Sequence, residues 1–475
     1  MPGFLTKKLK STVLLPVRIF KTPPGNFLLH TGKTPSITFQ RNKPMTSIAP
    51  PDRKKMPRPG IISPVNLTNP ETILLPNKME ACIIRAGKEP ITRIDVVFEA
   101  GSAYQNKKLV AGSTNNLLKE GTSTKSSAVI AEILDYFGAY LNTQIDKDTA
   151  SVTLYALTKH LDTLMPLLGE IVTDAIFPEK ELQIYLNRQK QQYLINFEKV
   201  RYRASMEFNK MIFGAGSAYG QILCEKDFSK VTREDVITFY HERFRPETAY
   251  VILSGNITDE VVKLTEKHLG NLSGQGQTSS KNQITYSTSQ KTGETFIERG
   301  NAMQSALRVG KQIINKTHPD FPALQMVNTL LGGYFGSRLM SNLREDKGYT
   351  YGINSFIQTY KHAAYFAIAT EVNADYTEAA MHEIDHEINR LKTTPVGNDE
   401  LKLVKNYLFG NFLKNFDGPL ALAERYRTVK DAGLDFSYYT QSIDAMMQLT
   451  SEQLMNVANQ YFETESLLHL VVGRK

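Results

Sequence analysis

Residues 235–256 read DVITFYHERFRPETAYVILSGN and residues 453–474 read QLMNVANQYFETESLLHLVVGR, so one pattern occurs twice in this chain of 475 residues. Each segment begins with apolar residues at the spacing of a helix. An aromatic residue and a turn follow, and the segment ends in an apolar run typical of a buried strand. The copies are roughly 200 residues apart, and a repeat of that length indicates a duplicated domain rather than a solenoid of short units.

The segments around these copies also repeat in order. In the first half, the periodicity predicts a strand, a helix, a strand and a helix at 93–105, 125–140, 149–158 and 160–177. In the second half, it predicts a helix, a helix leading into a strand, a strand and a helix at 319–333, 336–356, 364–372 and 375–392. Two copies of such an alternation predict an α+β fold of two homologous α/β sandwich domains.

Composition divides the chain into four segments. Residues 1–50 hold eight Lys and Arg and no acidic residue, and they lack a clear period. We therefore predict a disordered basic leader over 1–60, with an organellar presequence as the alternative. A polar stretch predicts a linker at 273–293. One domain is then expected at 61–272 and the other at 294–475.

The net charge of +8 comes from the leader, because residues 51–475 hold equal numbers of basic and acidic side chains. A neutral body argues against a basic face for nucleic acid. No apolar run approaches the ~18 residues that a membrane helix needs. The two cysteines, Cys82 and Cys224, do not form a disulfide scaffold and fit a reducing compartment.

The five residues from His382 to His386 read HEIDH and match the H-E-x-x-H pattern of zinc peptidases. On a helix, the pattern places the two histidines one turn apart as zinc ligands, with Glu383 as the general base. A third ligand on a downstream helix would fall near Asn406, an amide, and Glu400 is the nearest carboxylate. Apolar residues at helical spacing leave both histidines on a polar flank. We therefore interpret the segment as the solvated face of a packing helix, with zinc binding as the alternative.

Residues 100–157 read AGSAYQNKKLVAGSTNNLLKEGTSTKSSAVIAEILDYFGAYLNTQIDKDTASVTLYAL. This segment resembles the N-terminal half of the insulinase/pitrilysin zinc peptidases, a family that includes the mitochondrial processing peptidase. In that family an inverted motif, H-x-x-E-H, supplies two histidine ligands and a glutamate base at this place. The matching positions here are Gly112, Asn115 and Asn116. The family's distal glutamate ligand matches Gln192 on a later helix.

The resemblance therefore implies that the metal site has been lost. Zinc binds imidazole, thiolate or carboxylate, and a neutral carboxamide is a poor substitute for any of them. Asn115 cannot take a proton from water near neutral pH, so no general base remains. A register shift of one residue would replace Gln192 by Gln191, which is also an amide. We expect no cofactor in this chain and expect the amides to fill the pocket with hydrogen bonds, with residual ligand binding as the alternative.

The second half keeps a different part of the family's site. The segment that begins at Gly332 reads GGYFGSRLMSNLREDKGYTYGINSF and is similar to the one in which the family carries an arginine and a tyrosine seven residues apart. The matching residues are Arg344 and Tyr351, with Tyr349 as a competitor. In the family the pair donates hydrogen bonds to the carbonyl near the scissile bond, because a guanidinium and a phenol both stabilise an oxyanion. The alternative is a surface ion pair for Arg344 and a packed strand position for Tyr351.

In two-subunit members of the family, one chain brings the metal motif and the other brings the Arg/Tyr pair. The resemblance therefore implies a non-catalytic, substrate-binding subunit of a heterodimer, inactive alone, whose metal-bearing partner supplies zinc and the general base for the cleavage of unfolded peptides. A structural or assembly protein is the second hypothesis, and a stand-alone zinc peptidase using His382, Glu383 and His386 is the third. The Gly-rich substrate loop of the processing peptidase is present only in a short form. We therefore expect a cytoplasmic, bacterial-type protein, with periplasmic and organellar locations as alternatives.

Overall fold

The computed structural model describes residues 67, 69–272, 284 and 292–474. The predicted leader and almost all of the predicted linker lie outside these residues, so the division into four segments stays a prediction. The described residues belong to one compact unit that begins at Pro64. We refer to 67–272 as the first half and to 292–474 as the second half.

A six-stranded sheet forms the centre of the first half, with the strand order β1-β2-β6-β3-β5-β4. Its strands are β1 Glu71–Leu74, β2 Glu80–Arg85, β3 Ile91–Phe98, β4 Tyr140–Ile145, β5 Ala150–Leu157 and β6 Ala249–Gly255. Strands β2 and β6 run parallel, with Cys82 opposite Ile252, and the other neighbours run antiparallel. Valine and isoleucine are frequent in the central strands because β-branched side chains pack well on a pleated surface.

A five-stranded sheet repeats this arrangement in the second half, with the order β7-β11-β8-β10-β9. Its strands are β7 Gly293–Glu298, β8 Gln304–Ile313, β9 Thr350–Thr359, β10 Ala364–Asn373 and β11 Leu468–Gly473. Strands β7 and β11 run parallel, with Phe296 opposite Val471. Strands β6 and β11, which close the two sequence copies, therefore occupy equivalent places. The prediction of an α+β fold with two related halves is confirmed.

Helices cover both sheets. Those of the first half are α1 Val110–Leu117, α2 Ser127–Tyr136, α3 Leu161–Thr173, α4 Glu179–Phe197, α5 Val200–Phe213, α6 Arg233–Arg243 and α7 Asp259–His268. Those of the second half are α8 Phe321–Asn328, α9 Thr377–Thr393, α10 Asn398–Asn415, α11 Pro419–Lys430, α12 Tyr438–Gln448 and α13 Ser451–Tyr461. π-Helical turns at Thr329–Gly333 and Met340–Asp346 follow α8. No helix among the described residues is long and apolar enough to cross a membrane.

The helices that open the two sequence copies, α6 and α13, begin in the same way. The Thr232 hydroxyl accepts a hydrogen bond from the Asp235 N–H, and the Asp235 carboxylate accepts one from the Thr232 N–H. Thr450 and Gln453 form the same reciprocal pair at the start of α13. A capping residue of this kind contributes about 1 kcal/mol to helix stability. The duplication therefore includes the signal that starts the helix.

Two helices pack on the sheet of the opposite half. Helix α5 follows the first-half elements, yet Phe208 and Ile212 pack against β8 and β11 of the second sheet. Helix α11 belongs to the second half, yet Leu422 and Tyr426 pack against β2 and β6 of the first sheet. Burying a large apolar side chain contributes about 1.5–3 kcal/mol. The two halves therefore complete each other's cores.

Helix α11 also explains why β5 is buried on both faces although its sequence alternates. The guanidinium of Arg427 donates hydrogen bonds to the hydroxyls of Ser151 at 3.0 Å and Thr149 at 2.9 Å. On the neighbouring strand β3, Arg93 forms an ion pair with Glu424 at 2.6 Å. Charged residues of α11 thus cover a sheet face that the alternation would leave to solvent.

Candidate functional site

Helix α1 carries the three first-half positions that correspond to the family's inverted motif. Just before the helix, Leu109 adopts a φ of 73°, a left-handed conformation that is uncommon for a residue with a side chain. Gly112, Asn115 and Asn116 share one side of the helix, because residues three and four apart are neighbours on its surface. Helix α1 packs against β4, β5, α4 and α6, so this side faces the crevice between the sheet and α4.

Asn115 ties α1 to the edge of the first sheet. It is 0% exposed. Its side-chain nitrogen donates to the carbonyl oxygen of Gln144 on β4 at 2.7 Å and to that of Ser151 on β5 at 3.5 Å. Its side-chain oxygen is buried and has no hydrogen-bond partner among the described residues. The position of the family's general base is therefore held by a structural amide.

Asn116 and Tyr185 close the crevice from the other side. The side-chain nitrogen of Asn116 donates to the carbonyl oxygen of Gly112 at 2.9 Å and to the phenol oxygen of Tyr185 on α4 at 3.3 Å. Gly112 lies against the same phenol, since a Cβ added there would be 3.5 Å from the Tyr185 oxygen. Burial raises the pKa of Tyr185, so its hydroxyl stays protonated near neutral pH. Tyr185 was not among the residues predicted for the site, and its place on the inward stripe of α4 was the available signal.

The two candidates for the distal ligand position lie elsewhere on α4. Gln191 and Gln192 are both exposed. The α4 side chain that contacts Asn116 is Tyr185, two helical turns before Gln192, which corresponds to roughly 10 Å along the helix. The structure therefore brings Gly112, Asn115 and Asn116 together and leaves Gln192 outside their hydrogen-bonded group.

These residues do not fit the zinc ion that the fold family implies. Gly112 offers no ligand atom, and the Asn116 nitrogen is a donor already used by two oxygens. The unpartnered oxygen of Asn115 is a single neutral atom, whereas zinc needs several imidazole, thiolate or carboxylate ligands. Among the residues that the structure describes, no group of three or more His, Cys, Asp or Glu side chains is placed to hold a metal.

A cavity of about 520 Å³ opens beside Gly112. First-half residues that line it include Gln105, Lys108 and Leu109. The second half contributes Gln358 and Tyr360. Its volume is in the range of sites that bind small molecules or a few residues of a peptide. A cavity therefore lies at the interface of the halves, beside the glycine that the resemblance matches to the metal motif.

The HEIDH segment lies on α9 and its glutamate is already engaged. His382 and His386 are exposed. The carboxylate of Glu383 forms an ion pair with Lys347 at 2.9 Å and accepts a hydrogen bond from Asn342 at 2.9 Å. The hydrogen bond from Lys347 is the main reason why the pKa of Glu383 is lowered. This glutamate stabilises the packing of α9 against the π-helical turn at Met340–Asp346.

The rest of α9 agrees with a packing helix. Ile384, Ile388 and Leu391 are buried in the core of the second half, as the periodicity predicted. Glu400, the nearest downstream carboxylate, forms a bidentate pair with Arg338, with both distances at 2.9 Å. It is therefore held away from the role of a third ligand, and the segment forms a solvated helix face.

Arg344 lies on the π-helical turn, half-buried beside an exposed aromatic ring. Its guanidinium carbon is 4.7 Å from the centre of the Phe335 ring, which suits a cation–π contact. Its Nε is 3.5 Å from a carboxylate oxygen of Glu345. That contact is the surface pair that the sequence offered as an alternative, and such pairs contribute roughly 0–1 kcal/mol. Most of the guanidinium's hydrogen-bonding capacity is therefore left for other partners.

The two tyrosines of the segment are placed very differently. Tyr351, at the start of the edge strand β9, is 95% exposed. Tyr349 packs against the core of the second half and stacks on Tyr376, with ring centres 4.8 Å apart. Tyr349 therefore has a packing role. Tyr351 does not pack in the strand as the alternative required, and its phenol is available to a partner or ligand.

Comparison with known proteins agrees with the fold described above. The family model described as insulinase (peptidase family M16) matches residues 82–210, and the model described as the peptidase M16 inactive domain matches 230–408. The chain is 22% identical over 389 residues to an uncharacterized zinc protease of Bacillus subtilis, YmxG, covering 80% of this chain and 92% of that protein. It is 23% identical over 443 residues to the mitochondrial-processing peptidase subunit beta of Caenorhabditis elegans, covering 87% and 92%.

Among solved structures, the peptidase M16 inactive domain from Pseudomonas fluorescens superposes with a TM-score of 0.79 at 22% identity, covering 86% of this chain and 99% of that one. This likeness shows a shared fold across nearly all of the described residues. The first family model spans Gly112, Asn115 and Asn116, and the second spans Arg344 and Tyr351. Because both halves match in the expected order and the fold agrees, this chain belongs to the insulinase family, peptidase M16.

Proposed function

We propose that this chain is the non-catalytic, substrate-binding subunit of a heterodimeric insulinase-type zinc metallopeptidase. One contrast carries the proposal. The side-chain amides of α1 donate their hydrogen bonds to other groups of this chain. By contrast, Arg344 and Tyr351 make few hydrogen bonds within the chain. A chain that cannot hold zinc but presents a guanidinium and a free phenol suits carbonyl binding better than metal chemistry.

In this proposal, Arg344 and Tyr351 donate hydrogen bonds to the carbonyl oxygen of a bound peptide near the bond to be cleaved. Such donors stabilise the carbonyl oxygen most when it becomes negatively charged in the transition state. Each donor raises the rate of cleavage by ~10²-fold. Phe335, exposed beneath the guanidinium, offers an apolar surface to a peptide side chain and limits the freedom of Arg344.

The partner would be an insulinase-family chain with an intact metal motif. It would supply zinc and the general base, and this chain would hold no cofactor. The similarity to a protein named as a subunit of a processing peptidase supports the expectation of a partner. The substrates would be unfolded peptides, because a closed cavity formed with the partner, as the family resemblance implies, would admit a flexible segment but not a folded domain. A cytoplasmic, bacterial-type location remains part of the proposal.

The second candidate is an assembly protein that uses the fold without proteolysis. It is favoured by the contacts of Arg344 with Phe335 and Glu345, which give the guanidinium a role within the chain. The two candidates differ in what happens when a metal-bearing chain is supplied. The assembly protein would bind a partner without contributing to peptide turnover.

The test is to co-produce this chain with an H-x-x-E-H-bearing insulinase-family chain encoded in the same genome. Metal content by mass spectrometry and cleavage of internally quenched peptides are measured for each chain alone and for the pair. The proposal expects no stoichiometric zinc and no cleavage for this chain alone, and turnover by the pair that exceeds that of the partner alone. Equal turnover by the partner with and without this chain would support the assembly role instead.

A further inference from the structure

A second cavity, of about 580 Å³, lies within the second half, away from the α1 crevice. It is bounded by α8 with its π-helical turn, by β9, and by α10, α11 and α12. Nothing in the proposed function uses this space. Its place in the fold is nevertheless informative, because each half is a version of the same unit.

The cavity occupies the place in the second half that the former metal site occupies in the first. Helix α1 follows β3 and helix α8 follows β8, and β3 and β8 hold equivalent positions in their sheets. The segments Asn115–Leu118 and Asn328–Leu331 align as Asn-Asn-Leu-Leu and Asn-Thr-Leu-Leu. The positions equivalent to Gly112, Asn115 and Asn116 are then Gln325, Asn328 and Thr329. All three line the cavity, whereas in the first half Gly112 lines the cavity described above and Asn115 and Asn116 do not.

Aromatic side chains form one part of the walls. The aromatic side chains that line the cavity are Phe321, Phe356, Tyr407, Phe412, Phe416, Tyr438 and Tyr439. Leu408, Ile443 and Met446 add aliphatic surface. Aromatic rings favour another ring through offset or edge-to-face contacts with centres about 4.5–7 Å apart. The walls therefore suit a flat apolar group.

The charged residues at the cavity are all cations. Lys316, Lys414 and Arg425 line it, and no Asp or Glu does so among the described residues. Burial, and next the nearby Arg425, lower the pKa of Lys316. Asp431 is the acidic residue that attracts Lys316, but its carboxylate is bound by the Tyr250 hydroxyl at 2.5 Å and lies near Arg427. Two cations that repel each other across a partly buried space favour an anion between them.

A buried polar atom in the wall also lacks a partner. Asn328 is 8% exposed, and its side-chain oxygen has no hydrogen-bond partner among the described residues. Its backbone oxygen accepts from Ser355, another lining residue, at 2.9 Å. An unsatisfied buried oxygen costs about 1–3 kcal/mol. This oxygen is closed off from the cavity by its own neighbours, so the cost belongs to the fold of the wall.

We propose that this cavity binds an aromatic carboxylate, with the ring between the aromatic walls and the carboxylate between Lys316 and Arg425. The carboxylate has two sources, the C-terminal phenylalanine or tyrosine of a peptide and a free aromatic acid. A peptide differs from a simple acid by the backbone amide and the residues that precede its terminal ring. The inference does not depend on the proposed partner chain, because all of the lining residues belong to this chain.

The experiment is calorimetric titration of the purified full chain with four probes and inorganic phosphate. The probes are 3-phenylpropanoate, 3-phenylpropanamide, acetyl-Ala-Ala-Phe with a free carboxylate, and its C-terminal amide. Each acid is expected to bind at least about 10-fold more tightly than its matched amide, because a charged hydrogen bond contributes about 1.5–3 kcal/mol. If the peptide acid binds about 10-fold more tightly than 3-phenylpropanoate, or better, the carboxylate that the cavity binds comes from a peptide terminus. Otherwise it comes from a free aromatic acid.

Variants assign the binding to this cavity. Lys316→Met and Arg425→Met keep an unbranched apolar stem and remove the charge, and each is expected to weaken acid binding about 10-fold. Lys402→Met, on the exposed side of α10, is the matched control and should change nothing. Equal affinity for acid and amide, equal affinity for phosphate and acid, unchanged binding in both charge variants, or no binding at millimolar concentration would each overturn the proposal. The acid–amide comparison uses the unmodified chain, so it stands even if a variant does not fold.

Discussion

Asn116 on α1 donates a 3.3 Å hydrogen bond to the phenol oxygen of Tyr185 on α4. The contact joins the two helices that border the crevice where the family binds zinc. On the opposite side of the crevice, Asn115 joins α1 to β4. Hydrogen bonds from two neighbouring amides of α1 therefore join the elements that border this crevice.

The first prediction separates structural amides from an exposed one. Asn115→Ala removes a buried donor and leaves the Gln144 carbonyl without it, so the free energy of unfolding should fall by about 2–3 kcal/mol. Gln192→Ala changes an exposed side chain and should stay within about 0.5 kcal/mol. Urea unfolding followed by circular dichroism measures both. Equal effects of the two substitutions would mean that Asn115 does not hold α1 in place.

The second prediction concerns the carbonyl-binding pair. In a reconstituted pair, Arg344→Ala and Tyr351→Phe should each lower kcat by ~10²-fold, as expected for the loss of an oxyanion donor. Neither should alter the melting temperature by much, because both side chains are at the surface. His382→Ala is the control and should leave turnover unchanged, since that imidazole is exposed. Loss of turnover in His382→Ala together with normal turnover in Arg344→Ala would move the site to α9.

Much of the fold and part of the site were predictable from the sequence, for identifiable physical reasons. The repeated segments carry local signals, including the capping pairs of Thr232 and Thr450 and the buried stripe of α9. The family's metal motif has fixed spacing, so the resemblance alone could match it to Gly112, Asn115 and Asn116, and that match stays a prediction. These features depend on neighbours in the sequence, which is why one sequence suffices to recognise them.

Contacts between distant residues were not predictable. Tyr185 looks like any inward aromatic of a helix, and nothing local shows that its hydroxyl meets Asn116. The exposure of Tyr351 and the packing of Tyr349 depend on where β9 begins. The apolar face of α5 gives no sign that it packs on the second sheet, because periodicity reports that a face is buried and not what covers it.

The third prediction follows from the exchange of helices between the halves. Residues 64–272 produced alone would expose Phe208 and Ile212 of α5 and would lack the α11 cover of β2 and β6. Each of these side chains that stays exposed removes about 1.5–3 kcal/mol from the free energy of unfolding. We expect this fragment to aggregate or to unfold without a cooperative transition, and co-production with residues 292–475 to restore a folded complex. A sharp melting transition of the fragment alone would show that the halves are independent.

The fourth prediction is a pH dependence that originates at Asp431. Burial raises the pKa of this carboxyl to about 6, against the lowering effects of Tyr250 and Arg427. Because the folded pKa lies above the unfolded value of about 3.9, the native protein holds a proton between about pH 4 and 6 that the unfolded chain has lost. This contribution to stability is therefore fully present below about pH 4 and is lost as the pH rises through about 6.

Asp431→Asn removes that titration while keeping an oxygen for the Tyr250 hydroxyl. The quantity to compare is the free energy of unfolding of the unsubstituted chain minus that of Asp431→Asn. This difference should decrease by up to about 3 kcal/mol between pH 4 and pH 7. Urea unfolding at several pH values measures the difference, and Asp375→Asn, at an exposed position, supplies the control. A difference that rises with pH would mean that Arg427, 3.5 Å away, outweighs burial and holds the carboxylate charged in the native state.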